Sequence, residues 1–224
     1  MTAADVEAVL TQFRAAKPID AFSAGYDERP LMGRTVRLER PLRDGRSTGP
    51  RGDNAGFWTY DLPTQTFRLV ATDSMYLSGG VDGSGRGFNV SSVEKPGQPF
   101  EGANSFGAKT LVQVSNVTTN EIMEFRNIYT VDVLPKPSSD YSYSVTLKLP
   151  PEEARRLSKD ARVAVDAVVR PYAPGRAVLC GGFVTKATVS NPTETRTSEC
   201  ALSVDVTRIS IVDPVKGTVL REWK

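Results

Sequence analysis

The first residues of the chain carry an apolar pattern with a helical period. Thr2 stands at the position of a helix cap, with Asp5 three residues later as the acidic partner of a capping box. Pro18 stands where such a helix should end. Between these residues the apolar positions are spaced by three and four: Val6, Val9, Leu10 and Phe13. The pattern predicts an amphipathic helix within residues 1–18.

After this helix the period changes to two, which is typical of half-buried strands. The clearest strand spans 141–149, where Tyr, Val and Leu alternate with Ser, Thr and Lys. Residues 152–159, after two prolines, begin with acids and end with lysine, as a short helix prefers. The apolar parity changes at 207–208, which predicts a β-bulge. Further strands are expected at 35–39, 57–62, 67–70, 110–117, 121–134, 162–170, 177–189 and 200–212.

These elements predict a mainly β protein, either an antiparallel β-sandwich or an OB-like partly open barrel, with an N-terminal helix and one short internal helix. Residues 78–109 are rich in glycine and lack periodicity, so they are expected to form a loop or linker. The chain then divides into the helix 1–18, a β segment 19–77, this linker and a main β domain 110–224. The alternative is one continuous domain over 19–224.

Composition narrows the class of partner. Hydrophobic residues make up 39% and charged residues 24% of the chain, which is typical of a folded protein. The formal net charge of +2 is close to balance, so the whole chain has no electrostatic preference for nucleic acid or membrane. No stretch reaches the roughly 18 apolar residues of a transmembrane segment. We expect the partner to be another protein or a cell-envelope component, with nucleic acid as the less favoured option.

The chain of 224 residues contains no histidine. This excludes imidazole general bases, the Ser-His-Asp triad and His-containing metal sites. Two segments, 83–88 and 102–110, approach the dinucleotide-loop and P-loop patterns, but both fail on spacing. We therefore expect no catalytic residue, no metal and no cofactor, although chemistry based on paired carboxylates or a Ser–Lys dyad stays formally open.

The two cysteines indicate a disulfide. Cys180 and Cys200 flank the turn signal Asn191-Pro192, and a hairpin folded there brings them opposite each other within one residue. The alternative is a pair of buried thiols. A disulfide implies an oxidising compartment. We therefore expect a periplasmic or otherwise extracytoplasmic location, with this chain as the mature form because no signal peptide is visible, and a cytoplasmic location as the alternative.

A basic segment followed by aromatic residues is a candidate binding surface. The arginines suit phosphate or carboxylate, and the aromatic rings suit stacking. The competing interpretation is a solubilising edge strand for the arginines and ordinary cross-strand packing for the aromatics. The possible anion-binding residues are Arg34, Arg37, Arg40, Arg43, Arg46 and Arg51, and the possible aromatic contact surface is Trp58, Tyr60 and Phe67.

Together these features favour a non-catalytic binding or structural protein of the bacterial cell envelope. The first alternative is an OB-type nucleic-acid or polyanion binder that uses the arginine series and the three aromatic residues. The second is a carboxylate-dependent hydrolase, which requires two acids facing each other in a cleft.

Overall fold

The computed structural model describes residues 1–16, 26–45, 56–72, 86–103, 107, 109–124, 142–188 and 190–223. Over these residues the chain forms two helices, one short 3₁₀ turn (Arg29–Leu31) and twelve strands. The helices are α1 (Ala3–Ala15) and α2 (Pro151–Asp160). The strands are β1 (Thr35–Pro41), β2 (Arg43–Asp44), β3 (Gly56–Asp61), β4 (Thr66–Thr72), β5 (Arg86–Pro96), β6 (Phe100–Ala103), β7 (Lys109–Glu124), β8 (Ser142–Lys148), β9 (Arg162–Val169), β10 (Val178–Thr185), β11 (Thr193–Asp213) and β12 (Thr218–Trp223).

A larger sheet of eight strands is built around β11. Its order is β1-β9-β11-β7-β5, with β10 and β12 also paired to β11 and β6 paired to β7. The first half of β11 pairs with β7 in parallel and with β10 in antiparallel orientation. The second half pairs in antiparallel orientation with β9 and β12. The 21-residue strand β11 therefore connects the β1–β9 side of the sheet to the β7–β5 side.

Strands β9 and β10 lie end to end along one side of β11. The Ser203 amide donates to the carbonyl of Ala177 at 2.6 Å, and the Ser203 carbonyl accepts from the amide of Arg170 at 3.1 Å. Both groups of one strand residue point to the same side, so the two strands meet there. Glu28, only 5% exposed, fixes the intervening segment by accepting from the Val178 amide at 2.7 Å and from Arg176 Nε at 2.9 Å.

The larger sheet curls into a half-barrel. Arg40 on β1 donates through Nη2 to the backbone oxygen of Asn89 on β5 at 3.4 Å, although these strands stand at opposite ends of the sheet order. Helix α1 contacts β1, β5, β7, β10 and β11, so it lies across the concave face. Its capping box is the predicted one, with the Asp5 carboxylate accepting from the Thr2 amide at 2.7 Å.

The smaller sheet has the order β2-β3-β4-β8, and one apolar core connects it to the larger sheet. The core takes residues from both helices and both sheets, including Leu10, Phe67, Tyr143, Leu157 and Ile211. In the part of the chain that the structure describes, no helix is long and apolar enough to cross a membrane.

The predicted fold class is confirmed: the protein is mainly β, with an N-terminal helix and one short internal helix, consistent with a sandwich or OB-like arrangement. The bulge at 207–208 is confirmed by the register shift between Val206 and Arg208. The disulfide is confirmed as well, since Cys180 pairs with Cys200 in register and their Cα atoms lie 4.1 Å apart.

Several boundaries differ from the predictions. The supposed linker 78–109 contains strands β5 and β6, because a bulge between Asn89 and Ser91 hides the alternation of Phe88, Val90 and Val93. The strand predicted at 110–117 continues to Glu124, whereas 125–134 lies outside the described residues. Pairing is not purely antiparallel, since β2–β3 and β7–β11 are parallel.

Candidate functional site

The three aromatic residues singled out from the sequence come together on the smaller sheet. Trp58 and Tyr60 alternate along β3 and so share one face, and Phe67 on β4 lies directly opposite Tyr60. The ring centroid of Phe67 is 6.0 Å from that of Trp58 and 6.2 Å from that of Tyr60. Phe67 is fully buried, whereas Trp58 and Tyr60 are partly exposed. The two outer rings therefore rest on a fixed aromatic base.

These rings line a groove of about 450 Å³ between the smaller sheet and helix α2. Pro151, Ala154, Arg155 and Ser158 form the opposite wall, because a spacing of three or four places them on one face of the helix. Asp44 on β2 and Asp61 at the end of β3 add two carboxylates to the lining. The groove thus combines aromatic surface with hydrogen-bonding groups of both charges, as ligand pockets commonly do.

Two glycines fix the position of β3. Gly56, at its start, has a φ of +139°, and a Cβ there would lie 2.0 Å from the backbone oxygen of Val70. Gly45, which follows β2, donates its amide to the Trp58 carbonyl at 2.8 Å, and a Cβ there would lie 2.9 Å from the side chains of Phe57 and Thr59. Gly56 therefore requires glycine, because β3 and β4 approach closely there. At Gly45 a Cβ would require Phe57 and Thr59 to shift, because the chain after β2 lies close to β3 beside Trp58.

Hydrogen bonding fixes one groove residue and leaves two others available. The Tyr60 hydroxyl donates to the backbone oxygen of Leu149, just before α2, at 3.0 Å. The side chains of Trp58 and Arg155 have no hydrogen-bond or ion-pair partner within the described ranges. Among the described residues, no protein contact occupies their N–H donors, so these donors can bond a ligand.

On its other side, α2 is fixed by an ion cluster. Arg156 donates to the Asp213 carboxylate at 2.5 and 3.1 Å and to Glu153 at 2.7 Å, and Lys216 also reaches Glu153 at 2.7 Å. Asp213 is 1% exposed. The hydrogen bond from Arg156 holds the pKa of Asp213 below its usual value and, together with Lys216, lowers the pKa of Glu153 to about 2.

The arginine series does not form one surface in the described residues. Arg37 pairs with Glu39 at 2.8 Å and with Asp166 at 2.9 Å on the outer face of the larger sheet. Arg40 reaches Asn89 from the same strand, and Arg34 is exposed just before β1. Arg43 is the member of the described set that lies in the smaller sheet. Arg46 and Arg51 lie outside the described residues.

A second cavity of about 450 Å³ lies beside β6 and the start of β7. Lys109 and Lys186 line it together with Phe100 and Glu194. Lys109 also pairs with Glu101 at 2.6 Å. The segment that resembles a P-loop in sequence leads into strand β7 rather than into a helix, so it offers no helix N-terminus to a phosphate.

The sequence pattern does not predict a pair of acids that lies on the larger sheet. Glu121 on β7 lies opposite Ala201 of β11, and Glu199 is two residues earlier on that strand. Burial raises the pKa of Glu121 to about 7, and the charge of Glu199 adds to the effect. Neither acid lines either cavity. The alternation of residues along β7 does not indicate that Glu121 is shielded from water. That shielding comes from tertiary packing on both faces of the strand.

The raised pKa of Glu121 makes stability depend on pH. Between its ordinary value of 4.5 and about 7, the folded protein holds a proton that the unfolded chain releases. Stability should therefore fall as pH rises through this window. Across this window, we expect the Glu121→Gln variant to lose roughly 2 kcal/mol less of its free energy of unfolding than the wild type. The figure is smaller than the full pKa shift implies, because water screens part of the charge. Urea denaturation at intervals across the window measures the difference.

The control for this effect is Glu199→Gln. Removing the Glu199 charge should lower the pKa of Glu121 and recover only part of the lost stability, because burial is the larger cause. Parallel pH profiles for the wild type and Glu121→Gln would contradict the assignment.

The fold and the groove together define a β protein with a half-barrel sheet and an aromatic cleft beside its second helix. No family model matches the chain, and no curated protein or solved structure matches it either. In the described ranges, no group of three or more carboxylates or cysteines is arranged to hold a metal ion.

Proposed function

We propose that this chain is a non-catalytic binding protein, and that its ligand site is the groove between β3 and α2. The observation that carries the proposal is the partly exposed pair Trp58 and Tyr60 on a buried Phe67, facing the unpaired side chain of Arg155 within the described residues. Pre-formed aromatic surface with a few polar groups is the usual composition of a ligand pocket.

The proposal places the protein in an oxidising compartment outside the cytoplasm, such as the bacterial periplasm. The support is the disulfide Cys180–Cys200, since such bonds persist mainly in extracytoplasmic proteins. A partner in the cell envelope agrees with this placement.

The alternative of a nucleic-acid binder has less support. Asp44 and Asp61 both line the groove and would repel phosphate, and Arg37 is already paired with Glu39 and Asp166. The hydrolase alternative has one supporting observation, namely that the same two carboxylates share a concave site. Product analysis of any bound ligand distinguishes it from simple binding.

A single-tryptophan protein tests the binding site. The chain has two tryptophans, so Trp223→Phe leaves Trp58 as the only indole reporter. We expect a saturable change in Trp58 fluorescence with at least one of three probes: neutral tetrasaccharides, choline or oligothymidylate. Ligand contact alters the solvent exposure of the ring, which changes its emission.

The matched controls lie on the same helix. Arg155→Ala, in the groove wall, should weaken the response, whereas Lys159→Ala, an exposed position one turn further along α2 that does not line the groove, should leave it unchanged. No saturable response to any of the three probe classes would overturn the proposed site.

A further inference from the structure

We infer that the ligand of this groove is a neutral carbohydrate, with a pyranose ring stacked on Trp58 and Tyr60. This inference rests on the proposed function and names the ligand class of the same site. Three properties of the lining carry it: the aromatic wall, the mixture of charges and the ring of hydrogen-bonding groups.

The aromatic wall matches the apolar face of a sugar. Trp58 and Tyr60 are two residues apart on one strand, so their Cα atoms are separated by about 6.7 Å along the strand axis. The faces of aromatic rings are electron-rich and attract the polarised C–H groups of a pyranose. The Tyr60 hydroxyl already donates to Leu149, which leaves its ring, rather than its polar end, as the contact surface.

The charges of the lining argue against an ionic ligand. Asp44 and Asp61 oppose a phosphate or another polyanion, and the positive charge of Arg155 offsets part of the attraction that the two carboxylates exert on a quaternary ammonium group. A neutral ligand meets no repulsion from either sign of charge. It must still satisfy the polar groups that its binding removes from water, because unpaired buried groups reduce affinity.

Sugar hydroxyls satisfy both kinds of group at once. A sugar hydroxyl can donate to a carboxylate such as Asp44 or Asp61, the second of which also accepts from Thr64, and accept from the guanidinium of Arg155. The Ser158 hydroxyl donates to the Arg155 carbonyl at 2.8 Å, so it can accept from a further sugar hydroxyl. Hydrogen bonds to ionised groups are the stronger kind, so these side chains would set the orientation of the ring. The volume of about 450 Å³ lies within the range of small-ligand pockets.

Calorimetry on the intact protein tests the inference. The probes are tetrasaccharides of β-1,4-linked glucose, N-acetylglucosamine and mannose and of α-1,4-linked glucose, with choline and oligothymidylate for comparison. We expect one neutral tetrasaccharide to bind, and its affinity to fall about tenfold or more in Trp58→Ala because a stacking surface is lost. Arg155→Gln should weaken binding several-fold, and Lys159→Ala should leave it unchanged.

Salt dependence separates a neutral ligand from a charged one. Affinity for the tetrasaccharide should stay within about twofold between about 50 and 200 mM salt, because no counterions are released. Circular dichroism of each variant confirms that the fold is retained. Trp58→Phe, which keeps a ring, should recover part of the affinity lost in Trp58→Ala.

The outcomes separate the inference from the function beneath it. Trp58-dependent binding of choline or oligothymidylate, with no neutral tetrasaccharide bound, would overturn the carbohydrate assignment and leave the binding site standing. No binding by any probe would remove both. Cleavage of a bound tetrasaccharide would keep the ligand class and overturn the non-catalytic function.

Discussion

Replacing Arg156 with methionine is expected to lower the free energy of unfolding by about 3 kcal/mol or more. Asp213 is 1% exposed, and Arg156 is its charged partner at 2.5 Å. Within the described ranges, the other donors to its carboxylate are the amides of Val215 and Lys216, at 3.2 and 3.3 Å. Without Arg156 the described part of the chain supplies no cation to this buried carboxylate, which is the costly case. Urea denaturation at neutral pH measures the loss.

Arg155→Met is the matched control. It makes the same substitution at the neighbouring position, where the side chain is exposed and lines the groove. It should alter stability by less than about 0.5 kcal/mol. Adding Asp213→Asn to Arg156→Met should recover part of the loss, since the uncompensated charge is removed. Equal stabilities for Arg155→Met and Arg156→Met would show that the cluster contributes nothing.

Removing the disulfide is expected to cost about 3 kcal/mol, the value for a loop of this size in the chain-entropy model. The bond spans 20 residues and joins β10 to β11, where Cys200 is 1% exposed. Cys200 also pairs with Asn120, whose side chain accepts from Arg14 of α1 at 2.6 Å. The Cys180→Ala/Cys200→Ala variant should therefore weaken both the β10–β11 hairpin and the contact of α1 with β7. Urea denaturation measures the loss in the free energy of unfolding.

Reduction provides an independent measurement of the same bond. Cys180 is exposed, so dithiothreitol should reach the disulfide and reduce it. The urea midpoint of the wild type should then fall to that of the double variant. The double variant itself should not respond to the reductant. Mass spectrometry should show two free thiols in the wild type after this treatment. If the urea midpoint of the wild type is nevertheless unchanged, the disulfide does not make the expected contribution to stability.

The fold was most predictable where burial on one face imposed a simple period. Helix α1, strand β8 and the bulge near Thr207 each follow from local alternation and cap residues. The start of β11 was missed because Thr193 to Glu199 is polar throughout, so neither face carries an apolar signal. Strand β5 was missed because its bulge interrupts the period.

The candidate site was only partly predictable. Trp58, Tyr60 and Phe67 could be selected from β3 and β4 alone, because adjacent strands place their rings on one face. Arg155 and Ser158 could not, because a helix about ninety residues later forms the second wall, and no short-range pattern reports that contact. The arginine series was a weaker guide, since sequence spacing does not reveal which members are already paired with Asp166.

The position of β11 along the chain sets the order in which the protein can assemble. Synthesis produces β1, β5, β7, β9 and β10 before the strand that connects them, and Thr193 pairs with Gln113 across eighty residues. Contacts this distant in sequence form slowly. A growing chain therefore carries unpaired strand edges until β11 emerges, which exposes it to aggregation.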